Sequence, residues 1–214
     1  MRRIERVRID GLRALAALAA AACVAAAPLH AQVVDRVAAT VGSGVITLSD
    51  ARAALAFGFV QPAGASPIAE AVDHLVNRQL ILDEVNRYAE PAPDPALLDR
   101  RLAEITGRFP DAAALQRAME ATAMPAPRLR DFVSDTLRIE NYLGQRFNAQ
   151  AQPSPDEVER YFQDHRDDFA TGGEVPAFEA VRERVQARVL AERRTALIAD
   201  WLDRLRRRAT VVVY

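Results

Sequence analysis

Apolar and polar positions change period several times along the chain, and each change marks an element. Between Val33 and Thr47 the β-branched residues Val33, Val34, Val37, Val41, Val45 and Ile46 cluster around Gly42-Ser43-Gly44. β-Branched side chains suit a pleated surface and glycines suit a tight turn, so this stretch predicts a β-hairpin. Ser49 then predicts a helix cap, with Asp50 in the first turn where the dipole favours an acid, and the helix runs to about Val60. The Pro, Gly and Ser content of Gln61 to Pro67 predicts a loop. From Pro67 to about Ala89 the apolar positions Ile68, Val72, Leu75, Val76, Leu80, Ile81, Leu82 and Val85 cover more than one face. That pattern predicts a central helix buried on several sides.

Prolines and acids punctuate the rest. Pro91, Pro93 and Pro95 close one helix and open another over Asp94 to Thr106, which Gly107 stops. Asp111 caps a helix that ends near Ala123. Pro125 and Pro127 open a helix to about Asn148, with Leu129, Phe132, Val133, Thr136, Ile139, Leu143 and Phe147 within one arc. Ser154-Pro155-Asp156-Glu157 starts a helix that reaches about Phe169, and Thr171 to Pro176 is a short linker. Pro176 to about Arg207 is a long helix. Its stripe moves from Phe178, Val181, Val185 and Val189 to Leu190, Leu197, Trp201 and Leu205, so its two halves face different surfaces. Ala209 to Tyr214 is a short apolar strand. A lone hairpin is marginal in water, so Val211 to Val213 is expected to pair with it as a third strand.

Composition separates the first 31 residues from this pattern. Arg2, Arg3, Arg6, Arg8 and Arg13 precede the apolar run Leu12 to Pro28, and Leu29-His30-Ala31 ends in a small residue. That order is a signal peptide's, with cleavage expected before Gln32 and export to the periplasm. An anchor or a lipoprotein on Cys23 is the alternative, though Ala20-Ala21-Ala22-Cys23 lacks an aliphatic residue three before the cysteine. Cleavage would remove five of the 28 arginines and two of the 29 acids, leaving a net charge of -4. It would also remove Cys23, the sole cysteine, and with it any disulfide or thiolate metal site. The basic residues are all arginine, which reflects coding bias more than physical selection.

Little in the chain carries catalytic chemistry. His30, His74 and His165 lack clustered ligand spacing, so no metal and no cofactor is expected. Gly42-Ser43-Gly44 lacks the outer glycines of a nucleophile elbow and is a turn. Asp167 and Asp168, adjacent on a helix end, point apart. Nine arginines fall between Val181 and Arg208. Export makes nucleic acid an unfit partner, which leaves a solvated face, or docking of an acidic partner or a membrane surface.

Several segments resemble the SurA-type periplasmic chaperones. Val33 to Asp50 is similar to that family's opening valine-rich strand, turn and serine-aspartate helix start. Ala71 to Leu82 looks like its second helix, Pro153 to Phe169 like its tyrosine-phenylalanine helix, and Phe178 to Tyr214 like its final helix and strand. Many relatives insert parvulin-type prolyl isomerase domains before that final helix. Here only Ala170 to Ala177 lies between, and eight residues hold no folded domain, so isomerase activity is not carried over.

The resemblance implies a mainly α fold: a multi-helix chaperone core with a small β-sheet formed by the N-terminal hairpin and the C-terminal strand. The expected organisation is a signal peptide over 1–31, a helical domain over 32–169, a linker over 170–177, and a helix and strand over 178–214 that complete the same core. The implied function is an ATP-independent periplasmic holdase for unfolded outer-membrane or secreted polypeptides, touching a membrane only through the signal segment. Phe57, Phe59, Phe132, Tyr142, Phe147 and Trp201 are the candidate peptide-binding residues, with ordinary core packing as the competing role of each. Phe57 and Phe59, flanking a glycine near a helix end, are expected to be the exposed pair. The rival readings are a scaffold subunit with one dedicated partner and a degenerate prolyl isomerase.

Overall fold

The computed structural model describes residues 35–214. The expected signal segment, its expected cleavage site and Val33-Val34 lie outside the described residues. Three strands and seven α-helices follow in the order β1 (Val37–Val41), β2 (Gly44–Thr47), α1 (Leu48–Ala56), α2 (Pro67–Arg87), α3 (Pro95–Thr106), α4 (Ala112–Ala121), α5 (Ala126–Ala151), α6 (Pro155–Asp164), α7 (Phe178–Arg208) and β3 (Val211–Val213). The fold is mainly helical with one small antiparallel sheet, as the sequence predicts.

β1 turns into β2 through Gly42-Ser43, with Gly42 at φ 55°, a left-handed conformation that glycine adopts without steric cost. β3 pairs antiparallel with the other side of β1, Ala39 opposite Val213 and Val41 opposite Val211. The strand order β2-β1-β3 brings the C-terminal strand to the hairpin, as expected. Ala39, Val41 and Ile46 face inward and are buried.

Local chemistry sets the helix ends. Thr47, not Ser49, caps α1. The Asp50 N–H donates to Thr47 Oγ1 while the Thr47 N–H donates to Asp50 Oδ2 at 2.8 Å, a reciprocal capping box. Ser49 lies two residues too far in, and its hydroxyl donates instead to the Asp35 carboxylate. α1 stops at Ala56, short of Val60, because Gly58 at φ 68° reverses the chain. Asp94, Asp111 and Ser154 cap α3, α4 and α6, each accepting from a first-turn N–H. After α6 the chain tightens into a 3-10 turn over Arg166–Phe169.

Three apolar clusters hold these elements. The first joins the inner sheet face, α2, the second half of α5 and the end of α7. The second joins Ala53 and Phe57 to α3 and the first half of α5. The third joins Val158, Phe162 and Phe169 to Val181, Val185 and Val189 of α7. α2 is buried on several sides, and the two halves of α7 bury against different surfaces, both as its stripes predict. α5 spans the first two clusters, so its buried set also includes Leu137 and Tyr142, which a single arc omits.

Candidate binding groove

A groove of about 460 Å³ opens between the middle of α5, the middle of α2 and the end of α3. Its apolar wall includes Phe59, Ile81, Phe132, Leu143 and Leu202, and its polar groups include His74, Arg78, Arg101, Arg108 and Glu140. The Gly58 reversal delivers Phe59, whose N–H returns to the Ala54 carbonyl at 2.8 Å.

A series of packed rings leads to the floor, which Phe59 and Phe132 form. Phe109 packs 5.5 Å from Phe57, Phe57 lies 6.0 Å from Phe59, and Phe59 stacks 4.4 Å from Phe132. The Arg78 guanidinium closes the series, 3.8 Å from the Phe132 ring centre. Arg78 also donates to the Phe132 carbonyl at 2.8 Å and to Thr136 Oγ1 at 3.1 Å. Burial lowers its pKa to about 10, only partly opposed by Asp135, so the group stays charged at neutral pH. His74, one turn before Arg78, is held below its ordinary value by partial burial and by the Arg78 charge. Arg101 is tied to Glu140 by two hydrogen bonds of 3.0 and 3.3 Å. The groove thus presents an apolar, aromatic floor with a positive bias along its rim.

The six candidate aromatic residues do not form one site. Phe59 and Phe132, both half-buried, line the groove. Phe57 does not: it is 1% exposed, so the expected exposed pair is corrected to Phe59 alone. The reason is the left-handed Gly58, which folds both rings inward, Phe57 into the second cluster. Tyr142, Phe147 and Trp201 are buried together in the first cluster, with Trp201 5.5 Å from Phe147 and 6.1 Å from Tyr142. They serve as core, the competing role weighed for them.

Sequence reasoning missed Arg78, His74, Arg101 and Arg108. The signal for Arg78 was present: a cation between Leu75-Val76 and Leu80-Ile81, on a helix whose pattern buries most of its faces. A larger hollow, about 610 Å³, lies between β3 and the start of α2. Its walls include Ile68, Val72, Val213 and Tyr214, with Arg36 as the one arginine and none of the stacked phenylalanines. Converging polar groups over an apolar floor mark a binding site better than size does, which favours the groove. Compared with known proteins, the chain matches no family model and no curated protein.

Proposed function

We propose that this chain is a holdase for unfolded, exported polypeptides, acting in the periplasm by reversible binding and without a nucleotide or other cofactor. The observation that carries the reading is the open groove in which Phe59 and Phe132 stack beneath Arg78. An extended client would lay an apolar or aromatic side chain on that floor. Its backbone carbonyls or an acidic neighbour would meet the arginines on the rim. Binding is weak to moderate because the client loses chain entropy on docking.

The resemblance to SurA-type chaperones supports the same reading. So does the joint between α6 and α7, where Thr171 and Glu174 form a tight turn through Gly172-Gly173, leaving no room for an inserted domain. Isomerase activity therefore forms no part of the proposal.

A photo-cross-linking side chain at Leu143, on the groove wall, tests it directly. Many unfolded outer-membrane chains should be trapped on illumination, and far fewer by the same group at exposed Arg117. Capture of one partner only would replace the holdase with a dedicated-partner scaffold. Acceleration of a proline-limited refolding reaction would restore the isomerase reading.

A further inference from the structure

The arginines of the last helix find a use that the groove does not give them. Arg87 at the end of α2, Arg146 on α5, and Arg204, Arg207 and Arg208 on α7 surround one cleft of about 530 Å³ beside Trp201. Three helices distant in sequence bring them together, so the cluster is a convergence and not a run. A helix C-terminus favours cations in its own last turn, which accounts for Arg207 and Arg208 but not for Arg146, five residues before the end of α5.

The ionic accounting leaves the cleft positive. Arg87 pairs with Glu84 at 2.5 Å, and Arg204 pairs with Asp200. Arg146, Arg207 and Arg208 have no carboxylate partner among the described residues. Arg206, next in sequence, turns away to Asp73 at 2.5 Å and to Asn77 at 2.7 Å. Arg146 is braced: its guanidinium lies 5.3 Å from the Trp201 ring centre and 5.6 Å from that of Phe147, and it donates to Tyr142 Oη at 3.3 Å. That contact uses one of its five N–H donors, and the others remain in a fixed plane.

We infer that this cleft is a binding site for a phosphate group, held by Arg146 and Arg207 with Arg208 and Arg204 beside them. A phosphate presents several acceptor oxygens that match planar guanidinium forks, and its charge of up to two answers the excess better than a single carboxylate. The group can come free in solution or on an anionic lipid headgroup. Tyr88, 61% exposed at the rim, is the kind of side chain that sits at headgroup level. The cleft shares no residue with the groove, so the inference stands or falls apart from the holdase reading.

Trp201 is the sole tryptophan and forms part of the cleft wall, so its fluorescence reports occupancy. The full chain is titrated with inorganic phosphate at an ionic strength held constant with sodium chloride, and separately with phosphatidylglycerol and phosphatidylcholine vesicles. A saturable change is expected. Its midpoint should move at least tenfold higher in Arg207→Gln/Arg208→Gln, checked by an unchanged melting curve, and stay put in Arg117→Gln and Phe132→Ser. A response to phosphatidylglycerol vesicles that the double variant loses assigns the phosphate to a lipid headgroup. A response to inorganic phosphate alone assigns it to a soluble source. No response to either, or the same midpoint in the double variant, overturns the site.

Discussion

At Arg78 a cation stands where the helical pattern calls for an apolar side chain, and its surroundings say what it costs. Burial lowers its pKa to about 10, so the fold bears a desolvation penalty to keep a guanidinium in the groove wall. Its two acceptors do not depend on it, since the Phe132 carbonyl also accepts from the Thr136 hydroxyl at 2.8 Å. Arg78→Met, which keeps the length of the stem, should therefore leave stability within about 1 kcal/mol of wild type in urea melts. The same substitution should weaken client binding several-fold by fluorescence anisotropy, because the groove loses the cation over Phe132. Phe57 behaves in the opposite way. It is fully buried in the second cluster, and Phe57→Ala should cost about 3–5 kcal/mol by chemical denaturation. Its aromatic identity was legible in the sequence; its burial was not, because that depends on the backbone sign at Gly58.

Among the elements, caps and periodicity were the legible part. An Asp or Ser before the first turn, followed by proline in α3 and α6, located the starts of α3, α4 and α6 to within a residue, but α6 ends at Asp164, short of Phe169, where the chain tightens into the 3-10 turn. The start of α1 differs because two hydroxyl residues, Thr47 and Ser49, flank Leu48, and only the strand register selects the first. The α6 cap offers a test in pH. The Ser154 N–H donates to Glu157 at 2.7 Å and, with the Ser154 hydroxyl and Arg193, holds that carboxyl below its usual range. A carboxylate depressed in the folded state contributes stability above its unfolded value of roughly 4.3, and that contribution is lost as pH falls through the lowered value. The melting temperature of wild type should exceed that of Glu157→Gln at pH 7, with the gap closing below about pH 4. Ser154→Ala should cost about 1 kcal/mol at neutral pH.

The sheet is the second element-scale test. Deleting Thr210 to Tyr214 leaves a two-stranded hairpin and uncovers the β1 edge. Val212 and Val213 are largely exposed, so the loss is of order 1–3 kcal/mol, read as a lower thermal midpoint. An unchanged midpoint would mean that the strand contributes nothing to the fold.

Across the whole molecule, α7 does what no local pattern states. It runs 31 residues, about 46 Å, from the third cluster, where it packs on α6, to the first cluster beside α2 and α5. Its moving apolar stripe announced two burial surfaces but not what lay against each. The groove was less legible still, because its walls come from α2, α3, α5, α7 and the turn after α1, and only their packing makes Phe59 and Phe132 neighbours. Light scattering from an unfolded outer-membrane porin diluted out of urea tests that assembly most directly. A molar excess of the wild-type chain should suppress the scattering, and Phe59→Ser/Phe132→Ser, folded by circular dichroism, should suppress it much less. Scattering that is the same with and without the wild-type chain would contradict the account.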